Sequence, residues 1–170
     1  MKFLKVIVVL VVFAFVGKVE AQELKFGHVN IQELVGQLPD KIAADKELQD
    51  EATKLQEQLQ VMEQDLAKKY EEYMAQRDTL PDLIRATKEK EIQDYQQRMQ
   101  QYSQMAQQSL GTKEQQLLQP IITKVQKAID EVGQEQGLIY IFDISTQVIV
   151  YHSDKSVDCA PLVKTKLGVQ

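Results

Sequence analysis

Residues 48–80 read LQDEATKLQEQLQVMEQDLAKKYEEYMAQRDTL, and the spacing of their apolar side chains decides the fold. Leu48, Ala52, Leu55, Leu59, Met62, Leu66, Lys69, Tyr73, Gln76 and Leu80 follow one another by alternating steps of four and three. On an α-helix such steps keep every member on one stripe, so the stretch predicts a coiled-coil seam. A second seam, Ile92, Tyr95, Met99, Tyr102, Ala106 and Ser109, begins beyond Leu80-Pro81. Proline disfavours helical geometry in the residue before it and suits the first turn of a new helix. Two long helices folded back on each other are therefore expected: one over 41–78, a turn at 78–81, and a return helix over 82–135.

The first seam turns polar at Lys69 and Gln76, which predicts a hairpin that loosens toward its far end. In the return helix, Gly111 and Pro120 both weaken a helix interior. Between them the apolar phase shifts, resuming as Leu118, Ile121, Val125, Ala128 and Val132. Such an offset changes supercoiling locally. Residues 111–120 are either the joint between a loose arm and a better packed body or a simple kink in a straight arm.

Outward from the arm, both ends of the chain read differently. Lys2 and Lys5 precede an apolar run over Val6–Val16, followed by Gly17 and Val19-Glu20-Ala21. A spanning helix needs about 20 apolar residues, and this shorter run is expected to be a secretory signal over 1–21, cleaved after about Ala21. Residues 24–31 predict a first strand and 32–38 a short helix, with Asn30 as its cap and Glu33 completing a capping-box-like pair. Pro39 or Asp40 can open the long helix. After Gly137, the dense apolar run 138–144 predicts a strand buried on both faces. A turn at 145–147 and a second strand over 148–152 complete the reading of a β-hairpin. Pro161 then opens a short helix that Gly168 closes.

Strands from the two ends must meet, because a lone hairpin is marginal in water. Three strands still leave an edge and apolar faces uncovered, and a body of about 60 residues hides little by itself. Burial between identical copies is expected. The candidate interchain core is Phe26, Val29, Leu138, Tyr140, Ile141, Phe142, Ile144, Val148 and Val150.

The motifs of energy-driven or catalytic chemistry do not occur: there is neither a phosphate-binding loop nor a dinucleotide fingerprint. His28 and His152 read as satisfied strand residues, and Asp143 as a hydrogen-bonding group at a strand end; no catalytic, metal or cofactor role is assigned. Cys159 is the only cysteine, which excludes an internal disulfide framework and reads as a small buried hydrophobe. The net charge is −5; removal of Lys2, Lys5 and Lys18 against Glu20 leaves −7. Nucleic-acid binding needs clustered positive charge, so that class is excluded. Along the arms, Met62, Tyr70, Tyr73, Met74, Tyr95, Met99, Tyr102 and Met105 fit seam packing first. They also suit contact with partners of variable shape, such as unfolded chains.

The order signal, strand, helical hairpin, strands and terminal helix resembles the Skp (OmpH) family of periplasmic chaperones. The residues carrying the resemblance are Lys25-Phe26-Gly27-His28-Val29-Asn30, Lys124-Val125-Gln126-Lys127-Ala128-Ile129 and Leu138-Ile139-Tyr140-Ile141-Phe142-Asp143. It implies an α+β homotrimer in which strands of three chains form a small β-barrel body, from 22–40 and 119–170, with helical hairpin arms over 41–118. It also implies an ATP-independent holdase for unfolded outer-membrane proteins. Family members that bind acidic membranes and lipopolysaccharide are strongly basic. This chain is acidic, so that property is not carried over. The competing reading is a structural coiled-coil spacer or adaptor of the cell envelope.

Overall fold

The computed structural model describes residues 24–169, and the signal expected over 1–21 lies outside them. The elements run β1 (Phe26–Val29), α1 (Ile31–Gly36), α2 (Pro39–Gln76), α3 (Asp82–Gln136), β2 (Tyr140–Asp143), β3 (Val157–Asp158) and α4 (Ala160–Leu167). The architecture is mostly helical, with one small sheet.

Local signals set most of these boundaries. The Asn30 side chain accepts a hydrogen bond from the Glu33 N–H at 3.0 Å and caps α1. The Glu33 carboxylate accepts from Gln37 Nε2 at 3.4 Å, a contact within the helix rather than the return half of a capping box. Pro39 occupies the first turn of α2, whose 38 residues span about 57 Å. Gly137 ends α3 at φ 63°, where the Leu138 N–H reaches Gly133 O at 2.9 Å. Gly168 ends α4 in the same left-handed conformation, at φ 74°. Both are Schellman closures, which favour glycine because a side chain is strained there.

α2 and α3 pack antiparallel about the turn at Pro81. Four cross-helix pairs mark the register: Lys124 with Asp40 at 2.7 Å, Lys113 with Glu47 at 2.5 Å, Tyr95 with Asp65 at 3.3 Å, and Tyr73 with Glu89. The two members of each pair lie at similar distances along the chain from the turn. Exposed ion pairs contribute little singly, so the seam must do most of the holding. Leu48, Ala52, Leu55, Leu59, Met62 and Leu66 are half-buried along it, while Lys69 and Gln76 are exposed. On α3, Leu110 takes the inward place expected for Ser109.

One expectation about the arm needs correcting. It does not simply loosen toward its tip, because Tyr73 and Ile92 are more fully buried than the seam residues from Leu48 to Leu66. α3 runs unbroken through Pro120, as expected for the single return helix over 82–135. The inward positions there advance as Leu110, Lys113, Leu117, Ile121 and Val125, with extra steps of four that relax the supercoil. Beyond Pro120, Val125, Ala128, Ile129 and Val132 are buried, so packing tightens where the helix reaches the body.

The sheet differs from the expected hairpin. β1 is central, and both β2 and β3 pair with it in parallel, in the order β2-β1-β3. Residues 148–152 form no strand; the third strand is Val157–Asp158, for which no strand was expected. A β-branched run becomes a strand only where a ladder receives it. Both edges of β1 are already taken. β2 is also shorter than 138–144, and only one of its faces is covered.

The covered face of the sheet carries Gly27, Val29, Ile141 and Val157. With Leu34, Leu38, Ala44, Val125, Val132, Cys159 and Val163, all but Ala44 as wholly buried as Val29, it forms the core. A Cβ at Gly27 would lie 2.6 Å from Cys159 Sγ and 2.8 Å from Leu138 Cδ1. The glycine is what lets the terminal segment close over the central strand. Asp143 ends β2 by accepting from the Ile31 N–H at 3.3 Å, the Ser145 N–H at 2.9 Å and the Ser145 hydroxyl at 2.9 Å. Burial pushes its carboxyl pKa up, but these donors prevail and hold it below the ordinary carboxylate range.

Two outcomes follow for stability. Gly27→Ala should cost about 1–3 kcal/mol through overpacking, and adding Cys159→Ala should recover part of it, as read by denaturant unfolding; an unchanged midpoint would contradict the close approach. The Asp143 contribution is complete above the unfolded carboxyl pKa of about 3.9 and is lost as pH falls through the lower folded value. Asp143→Asn should therefore be less stable than wild type at neutral pH, with the gap closing in strong acid; a gap that stays constant would contradict it.

Candidate functional site

Alternation along β1 and β2 sorts the candidate interchain residues into two groups. Gly27 pairs with Ile141 and Val29 with Asp143 on the covered face, while Phe26 pairs with Tyr140 and His28 with Phe142 on the other. Val29 is fully buried, and Leu138 and Ile141 pack against the chain's own core. These three are occupied within the protomer. Phe26, Tyr140 and Phe142 form the outward face instead. Their ring centroids are 6.4 Å apart for Phe26–Tyr140, 6.3 Å for Phe26–Phe142 and 5.9 Å for Tyr140–Phe142. Tyr140 is 61% exposed. Ile144 is half-buried, and Val148, Tyr151 and Val150 are exposed, Val150 at 94%.

An apolar cluster of this size on one side of a small sheet is unusual for a surface that stays in water. Beside it lies a groove of about 820 Å³ between the sheet and residues 149–156. The His28 ring sits at its floor with its Nδ1 2.9 Å from Ser156 Oγ, stacked under His152. His152 is thus a loop residue, not a strand residue. Among the described residues no cluster of three or more metal-ligating side chains occurs.

The arm candidates also divide. Tyr73 is buried, and its hydroxyl donates to the Glu89 carboxylate; that hydrogen bond, reinforced by burial, raises the phenol above its ordinary range. Met62, Tyr95, Met99 and Tyr102 are half-buried at the seam. The Tyr95 ring carries Lys69 Nζ at 5.8 Å and the Arg98 guanidinium at 5.1 Å from its centroid, so two cations pack against its π-system. Tyr70, Met74 and Met105 are open to solvent. The arm therefore combines a packed set and an accessible set, each drawn from the same two residue types.

Sequence reasoning missed two exposed apolar positions at the arm tip. Leu83 is 77% exposed and Ile84 lies beside it, in the first turn after Pro81. Neither falls on a seam, and that mismatch between apolar character and seam position was the available signal. Cys159, wholly buried beneath Gly27, has a thiol pKa raised chiefly by that burial. It is placed as a packing residue. No helix among the described residues is long and apolar enough to cross a membrane.

The comparisons with known proteins agree on the family and the fold. Residues 25–167 match the family described as "Outer membrane protein (OmpH-like)". The chain is 27% identical over 157 residues to the chaperone protein Skp of Photorhabdus luminescens, covering 92% of this chain and 93% of that protein. A crystal structure of an OmpH-like outer membrane chaperone from Caulobacter crescentus superposes with a TM-score of 0.75. The overlap covers 85% of this chain and 83% of that one at 17% identity, a likeness of fold. On the match over residues 25–167, the chain belongs to the OmpH-like outer membrane protein family, the family of the Skp chaperones.

Proposed function

We propose that this chain is an ATP-independent holdase chaperone of the periplasm, which binds unfolded outer-membrane proteins and keeps them from aggregating before membrane insertion. The observation that carries this reading is the set of Met and Tyr side chains left open or half-open along an otherwise polar hairpin. Met adapts its shape and Tyr offers apolar area beside a polar tip, so each contact is weak and tolerant of sequence. Retention then comes from number. Several arms acting on one client multiply weak contacts through effective concentration. The chaperone description of the Photorhabdus relative supports the reading.

Assembly follows from the sheet. In this proposal three copies meet through the outward face of Phe26, Tyr140 and Phe142 with Ile144, Val148 and Val150. The strands close into a barrel, and the arms over 41–118 hang from a body of 22–40 and 119–170. Val29, Leu138 and Ile141 support that face from within each protomer. Residues 1–21 serve as the export signal. Burial of aromatic area is the driving force, at about 25 cal/mol per Å² of apolar surface, and barrel closure also removes the open sheet edges.

The test is dilution of a urea-unfolded outer-membrane barrel into buffer containing a stoichiometric amount of this protein and no nucleotide. The barrel should stay soluble, and the combined variant Tyr70→Glu, Met74→Glu, Met105→Glu should bind it about tenfold more weakly, roughly 1.4 kcal/mol, with unchanged circular dichroism. Light scattering that rises as fast as in buffer alone would contradict the holdase reading. Retention unaffected by the triple variant would contradict the placement of the client contacts on the arm.

A further inference from the structure

The segment between β2 and β3 must pass from one edge of the sheet to the other, because both strands run parallel to β1 and flank it. Ile149, His152 and Ser156 line one groove together with Phe26, His28 and Phe142, so the segment makes its return across the outward face. Residues 144–156 therefore form a strap over the sheet. Its first turn is tied to Asp143 through Ser145, and its last residue reaches His28 through the Ser156 hydroxyl. From Gln147 to His152 the strap has no backbone–backbone hydrogen bond among the described residues. Within the protomer this middle part is fastened by the half-buried Ile149 and by a ring contact: His152 stacks on His28 with centroids 4.0 Å apart and planes 24° from parallel.

We propose that the His28–His152 stack is a pH-sensitive latch, which holds the strap across the outward sheet face and releases it when both imidazoles are protonated. Histidine is the side chain whose charge ordinarily changes between pH 5 and 8. A neutral ring stacks on a neutral or a singly charged partner, whereas two cations at this separation repel strongly in a partly enclosed site. The surroundings offer no surplus of negative charge to offset that repulsion. Lys25 of the β1 approach and Lys155 of the strap line the same groove. Asp158 of β3 pairs with His28 in register and its Oδ1 accepts from the Ala160 N–H at 2.9 Å; its charge and that of Asp154 are matched in number by Lys25 and Lys155. On the other side of His28, Glu33 of α1 and Lys164 of α4 line the adjoining hollow as opposite charges. α3 contributes only the neutral Gln136 to the groove, and Asp154 is the strap's own carboxylate. The Ser156 hydroxyl remains a partner for Nδ1 in either charge state, so release begins at the stack and not at that hydrogen bond.

Hydrogen exchange of a peptide spanning 147–156, corrected for intrinsic rates and measured on the full protein at about pH 7.5 and about pH 5.5, tests the latch. Wild-type protection should fall about tenfold in acid, while protection of 121–132 in α3 stays constant and reports an intact fold. His152→Phe keeps a ring without a charge and should hold the strap closed at both pH values. His152→Gln removes the ring and should leave it open at both. Equal wild-type protection at the two pH values overturns the proposal, as does an acid loss in either variant that matches the wild type.

Discussion

Four residues, Phe26–Val29, pair on both edges with strands that arrive more than a hundred positions later. The rest of the fold depends on this ladder. It holds the base of a long helical hairpin closed, because α2 leaves the body shortly after β1 and α3 returns directly into β2. It also sets the parity of every side chain in the sheet. One face meets Val125, Val132, Cys159 and Val163, and the other looks outward with its aromatic rings. Gly27 makes the ladder possible, since any Cβ there would meet Cys159 and Leu138.

The same constraint divides labour along the chain. Body residues are fully buried around Val29, Val125 and Val163, whereas most of the arm seam is only half-covered. Two helices alone cannot bury a large apolar stripe, and the arm uses Gln, Lys and Glu on the remaining surface. Its register is marked by Asp40 with Lys124 near the body and by Tyr73 with Glu89 near the tip. Tyr70 and Met105 lie between those two pairs and Met74 just beyond the outer one, all three open to solvent. A well-packed seam would stabilise the arm more and offer less to bind.

Much of this was legible in the sequence, and the division follows the range of the interactions. The seam from Leu48 to Leu66, the turn before Pro81 and the closures at Gly137 and Gly168 depend on neighbours within a few residues, so spacing and residue type suffice. The strand assignment at Val148-Ile149-Val150 failed because strand propensity says nothing about whether a ladder is free, and Val157–Asp158 has the place instead. The face on which Val29, Leu138 and Ile141 lie was hidden for a related reason. Their apolar character was plain, but which face they occupy depends on register between distant segments. The burial of Tyr73 rests on a partner across the hairpin, which the polar neighbours Lys69 and Gln76 concealed.

The central claim is that the outward sheet face is an unfinished core completed by further copies of the same chain. Sedimentation equilibrium of the mature protein at micromolar concentration tests it most directly, with Tyr140→Glu, Phe142→Glu as the comparison. The account predicts the mass of three chains for the wild type and of one for the double variant, each with native circular dichroism. A wild-type protein that sediments as a single folded chain would contradict it.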